Sequence, residues 1–392
     1  MTSGSGQLAC DAVLALMKQG ECDPEVIGMC FDTTTSNTGK LNGACTLIEA
    51  AMGRKLLWLA CRHHMFEVLL ADVFRICFGP STGPEILLFK RLRDKWPELN
   101  HHVPRKLQTP LIIVHDELKT FIAEHWELKY PRDDYRELIC LAASMVGLET
   151  KYGVRRPGGF HWARWMAKAI YSLKIGLLLD GNEDVLHLAA RELQGVKRFN
   201  RFVVNIYLLS WFTCRISVDA PLNDILLIQR LSNYDDEAIK TAGLKMMKRH
   251  SWYLSPELAT LSLFSPQVTI AQKKELVQSM KSERGEHLLQ VLPGSITELT
   301  VSRSFFDVCK IDASFLDIPV EGWLDNACYK IAEQSAKNIV CVNDVAEQGV
   351  ALIQTFNGTI TKDEEQKQYL LQVIEKHRHE FRGCNRDSLI DM

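Results

Sequence analysis

Two short apolar runs joined by a single helix constrain this chain more than any other feature. Val26-Ile27-Gly28-Met29-Cys30-Phe31 and Leu56-Leu57-Trp58-Leu59-Ala60 lack the polar alternation of a half-exposed sheet, so they predict strands buried on both faces and paired in parallel through a crossover. The crossover is a helix over residues 39–52, with Leu41, Ala44, Cys45, Leu47, Ile48 and Ala51 on one side and Gly53-Arg54 closing it. An amphipathic helix precedes the first strand, its apolar side formed by Leu8, Ala9, Val13, Leu14, Leu16 and Met17 before Gly20. A two-stranded parallel sheet is too small to be stable by itself. This α-β-α-β piece is therefore read as part of an α/β domain that the chain enters part-way through.

The rest of the composition excludes several classes. The chain has 392 residues, 46% hydrophobic and 24% charged, which is ordinary for a soluble globular protein and not for a disordered one. Its formal charge of -2 argues against an overall polyanion-binding surface and leaves room for local basic patches. The 12 cysteines lack the paired spacings of a zinc module or a secreted disulfide frame and sit mostly within apolar runs. They read as reduced core thiols of the cytosol or nucleus. No apolar stretch approaches the roughly 20 residues needed to span a bilayer, and the best candidate, residues 173–180, is too short.

Residues 65–335 carry helical spacing almost throughout, punctuated by Pro and Gly from Gly79-Pro80 to Pro293-Gly294. Representative faces are Leu138, Leu141, Ala142, Met145 and Leu148, then Phe202, Ile206, Leu209, Phe212 and Ile216. Ile339-Val340-Cys341-Val342 suggests a short strand, followed by helices over 344–356 and 362–379.

The candidate chemistry begins with Asp32, which follows the first strand and precedes Thr33-Thr34-Thr35-Ser36-Asn37, where a strand end can present an exposed carboxylate. Such an Asp equally serves as a helix N-cap or turn residue. Glu347, within Asn343-Asp344-Val345-Ala346-Glu347-Gln348-Gly349, is its partner acid or else a solvated surface carboxylate. Together they could hold a hard divalent cation such as magnesium. Cys61 and His64 have the spacing of half a zinc site, but no second pair follows at a suitable distance; no zinc is expected, and His64 then braces the helix after the second strand. Arg155, Arg156, Arg164, Trp165 and Lys168 mix cations with aromatic side chains, a combination suited to phosphates and unstacked bases or to a Trp-rich core face edged by arginines. Arg191, Lys197, Arg198 and Arg201, and Lys240, Lys245, Lys248, Arg249 and His250, form further cationic stretches that read as solvated faces.

Taken in order, the array resembles the hAT superfamily of DNA transposases and their domesticated relatives. Phe31-Asp32-Thr33-Thr34-Thr35-Ser36-Asn37, Cys61 with His64, Arg164 with Trp165, and Glu347 look like that family's strand-ending Asp, Cys-two-residues-His motif, Arg-Trp pair and last acid. Gln348 stands where Arg is usual, and Asn343-Asp344 replaces a serine-rich lead-in. The resemblance implies a ribonuclease H-like α/β core fragment over 1–64, a large all-α insertion over 65–335, and C-terminal helices over 336–392 that complete the core. It also implies magnesium or manganese chemistry if the chain is active, with Asp32 and Glu347 as catalytic and metal-binding acids and the family's first Asp missing. The expected product is a catalytically incomplete, DNA-binding, nuclear or cytosolic protein that could form a homo-oligomer, with no membrane partner and no small-molecule cofactor. Two alternatives stand beside it: an active transposase or nuclease completed by upstream sequence or a partner, and a helical interaction scaffold with no nucleic-acid role.

Overall fold

The computed structural model describes residues 5–80, 86–130, 133–151, 153–157, 166–280 and 291–342. They are predominantly helical. The described residues divide into two compact units, one comprising residues 5–76 with 206–342 and the other lying within residues 77–205.

In the first unit, α1 (Ser5–Gln19) precedes β1 (Gly28–Phe31), a four-residue helix α2 (Thr35–Thr38), α3 (Ala44–Met52), β2 (Leu57–Ala60) and α4 (Arg62–Phe78). Strands β1 and β2 pair in parallel, with Gly28 opposite Leu57 and Phe31 opposite Ala60, as the two apolar runs predict. Burial is less symmetric than expected. In β2, Leu57, Leu59 and Ala60 are buried, whereas only Phe31 is buried in β1. Among the described residues the sheet has only these two strands, so β1 lacks a neighbour on its outer edge.

The crossover helix also starts later than expected. Residues 40–43 form a turn closed by the Gly43 amide donating to the Gly39 carbonyl at 2.9 Å, which leaves Leu41 82% exposed. Gly53 ends α3 in the left-handed conformation, with φ 63°, as a glycine at that position allows. Similarly, α1 forms where predicted, but the residues it packs against Ile48 and Leu56 are Cys10 and Leu14. Leu8 and Leu16 are 65% and 66% exposed.

The main core of this unit joins Leu57 and Leu59 of β2 to an aromatic cluster of Phe264, Phe305, Phe306, Phe315, Trp323 and Tyr329. Several adjacent rings meet edge-on, as with Phe315 and Trp323 at 5.1 Å and 87°, an arrangement aromatic quadrupoles favour. Residues 339–342 do not form the expected strand. Instead the Cys341 carbonyl accepts the Arg62 amide at 3.1 Å, and the Cys341 thiol donates to the Cys214 carbonyl at 3.0 Å.

The regular elements among the described residues of the second unit are all helices. Helix Asp133–Met145 packs on helix Met166–Leu178, which also packs on helix Ala190–Phe202. Lys174 is buried and ion-paired with Glu137 at 2.8 Å, and Asn182 bonds the backbone of Asn100 through both ends of its amide, at 2.7 and 2.9 Å. No described helix is long and apolar enough to cross a membrane.

Candidate functional site

The parallel register brings the C-terminal ends of β1 and β2 to one edge, because the Cys61 amide donates to the Phe31 carbonyl at 2.7 Å. Asp32 leaves β1 at this edge and is half-buried rather than exposed. Its Oδ1 accepts the Thr34 amide at 3.0 Å, the Thr34 hydroxyl at 2.5 Å and Asn37 Nδ2 at 2.9 Å. Thr34 in turn caps α2, its carbonyl accepting the Asn37 and Thr38 amides. The Asp-Thr-Thr-Thr-Ser-Asn string therefore folds into an Asx turn running into one helical turn. Burial pushes the Asp32 carboxyl upward, but the bonds from Thr34, the nearby His64 and the Asn37 bond together hold it below the usual carboxylate range. It is a fixed anion at neutral pH.

Cys61 caps α4, with the Met65 amide donating to its carbonyl at 3.1 Å and its thiol buried. His64 is half-buried in the first turn of α4, within electrostatic reach of both Asp32 and His250. Its neighbour His63 faces the interior, stacked on Trp211 at 4.0 Å and 12°. The motif thus places one histidine in the core and one beside Asp32. His250, expected on a solvated basic face, is buried with Nδ1 on the Met246 carbonyl at 3.1 Å. Burial first, then the neighbouring Arg249 and His64 charges, lower its pKa.

Behind the edge, Arg62 forms a buried ion pair with Asp224 and donates to the Ala220 carbonyl at 2.9 Å. Cys214 and Cys341 lie close to this pair. Burial raises the Cys341 thiol to about 11 and moves Cys214 upward as well, so both are core thiols rather than nucleophiles at neutral pH.

Asp32 and the turn that carries Cys61 and His64 thus lie at one edge of the sheet. Among the described residues, no group of three or more His, Cys, Asp or Glu side chains is placed to hold a metal ion. Glu347, Arg164 and Trp165 lie outside the described residues. In the second unit Arg155 and Arg156 are exposed and Lys168 is half-buried in the first turn of helix Met166–Leu178. That unit also holds a cavity of about 700 Å3 with an apolar floor that includes Leu107, Ile112 and Val196 and with Lys197, Asn200 and Arg201 on one side. The sequence offered no sign of this cavity, of the electrostatic proximity of His250 and His64, or of the Arg62 and Asp224 pairing; all depend on residues far apart in the chain.

No protein-family model, curated protein or solved structure matches this chain.

Proposed function

We propose that this chain is a transposase-derived nucleic-acid-binding protein of hAT type, in which a ribonuclease H-like α/β segment is combined with a helical insertion. One observation carries the reading. Asp32 ends a strand at the edge where a Cys61 and His64 turn opens the helix after the neighbouring parallel strand. A strand end in a rigid sheet is where phosphoryl-transfer folds present acids, and Asp32 is held ionised by Thr34 and Asn37.

Two-ion phosphoryl transfer needs several carboxylates to seat ions about 3.5–4 Å apart. The described residues do not supply that set, so no step through a metal ion is assigned to them. What they supply is charge. Arg155 and Arg156 are exposed next to the Gly- and Trp-containing stretch of 158–165, and arginines so placed suit backbone phosphates. The proposed activity is electrostatic DNA binding without strand cleavage, in the nucleus.

The test is fluorescence anisotropy of labelled duplex DNA across a salt series. Affinity should fall steeply with salt, and a double Arg155→Ala, Arg156→Ala variant should bind more weakly with a slope shallower by about 2. Binding that ignores salt contradicts the proposal, and the absence of binding at low salt favours the scaffold reading. Magnesium-dependent nicking that Asp32→Asn abolishes would establish the active-enzyme reading instead.

A further inference from the structure

We infer a second site in the first unit, independent of nucleic-acid binding: an aromatic corner that takes a trimethylammonium group. It is a cavity of about 340 Å3 lined by Glu49 of α3, Lys55, Trp58 of β2, Trp252, Tyr253 and Glu257, among others. That volume lies in the range of about 300–1,000 Å3 typical of small-molecule sites.

Its walls are aromatic planes at right angles. Trp58 and Trp252 meet at 6.5 Å and 86°, and Trp252 and Tyr253 at 6.5 Å and 88°. Trp58 is held rigidly, because its indole N–H donates to Glu49 Oε1 at 3.1 Å and Phe31 packs edge-on against it at 5.7 Å. All three rings line the one cavity, and the negative face of an aromatic ring attracts a cation. Tyr253 already serves in this way on Arg62, whose guanidinium carbon lies 5.2 Å from the ring centre. Among the described residues no cation lies over Trp58 or Trp252.

The charges of the lining select the kind of cation. Glu49 and Glu257 are buried, and Lys55, whose side chain is 66% exposed, pairs with Glu49 at 2.8 Å and offsets its charge. The lining is therefore net negative. Glu49 accepts the Leu56 amide at 2.9 Å and Lys55 Nζ at 2.8 Å, and Glu257 accepts the Ser304 hydroxyl at 2.7 Å. A primary ammonium would have to compete with these donors for the carboxylate oxygens to replace its lost water. A methylated ammonium needs no acceptors and gains from both the field and the ring faces.

The test titrates the full chain with choline, following tryptophan fluorescence and calorimetry, against 3,3-dimethylbutan-1-ol, its uncharged isostere. Choline should bind saturably and about tenfold more tightly than the isostere. Trp252→Ala should weaken choline at least tenfold and Trp252→Phe less, with circular dichroism showing both variants folded. Cosedimentation with phosphatidylcholine vesicles, competed by choline, would identify a lipid headgroup as the source; choline binding without cosedimentation identifies a free small molecule. Equal affinity for the isostere, no saturable choline binding, or full choline affinity in folded Trp252→Ala would overturn the assignment.

Discussion

Arg62, the first residue of α4, is ion-paired with Asp224 on helix Ala220–Ser232, and both side chains are buried, at 4% and 1% exposure. The pair fixes the start of α4, and with it the turn that carries Cys61 and His64. Breaking a buried pair strands a charge in a low-dielectric interior, which costs about 3–5 kcal/mol, whereas replacing both partners by apolar groups can be nearly neutral. Asp224→Asn should therefore lower stability by about that amount, and Arg62→Met with Asp224→Leu should recover most of it. Urea denaturation of the variants checks this; equal losses in the single and double variants contradict it.

Asp32 gives a pH dependence of known sign. A carboxyl held below its ordinary range on folding contributes stability above that range and loses it as the pH falls through its lowered pKa. The wild type should lose stability relative to Asp32→Asn as the pH drops from about 5 toward 3. Paired urea melts across that interval measure the difference. A constant difference would mean that the bonds from Thr34 and Asn37 do not favour the charged form.

Gly195 sits where helix Ala190–Phe202 approaches the end of α4. A methyl group there would lie 2.8 Å from the Cys77 carbonyl and 2.9 Å from the Phe78 ring, and backbone cannot give way as a side-chain tip can. Gly195→Ala should cost about 1–3 kcal/mol. Gly153→Ala, with nothing within 4 Å, is the matched control and should be close to neutral in thermal melts.

Leu8 and Leu16 of α1 are largely exposed and so contribute little to the core of the isolated chain. Leu8→Gln with Leu16→Gln should change stability by no more than about 0.5 kcal/mol. A larger loss in chemical denaturation would mean that this face is covered in solution.

The parallel β1 and β2 unit was legible because two apolar runs around one helix leave few alternatives, and its Asx turn because Asp-Thr-Thr-Thr-Ser-Asn carries local hydrogen bonds. Errors arose where local geometry shifts a face. Residues Val203–Tyr207 form a π-helical stretch, whose wider turn rotates the following face. Tyr207, Leu208 and Trp211 are buried in place of the expected Leu209, Phe212 and Ile216, and Ile216 is 51% exposed. His250 was misread for a different reason. A histidine after Lys248 and Arg249 looks solvated until the fold brings it near His64. The aromatic corner was hidden likewise, since Trp58 and Trp252 are distant in sequence.

The most direct test of the proposed function is an agarose mobility assay of supercoiled plasmid with the pure chain and Mg2+ or Mn2+. The DNA should be retarded at low salt and released as salt rises, and the plasmid should still be supercoiled after the protein is removed. Unretarded plasmid, or metal-dependent nicking that disappears with Asp32→Asn, would contradict the proposed function.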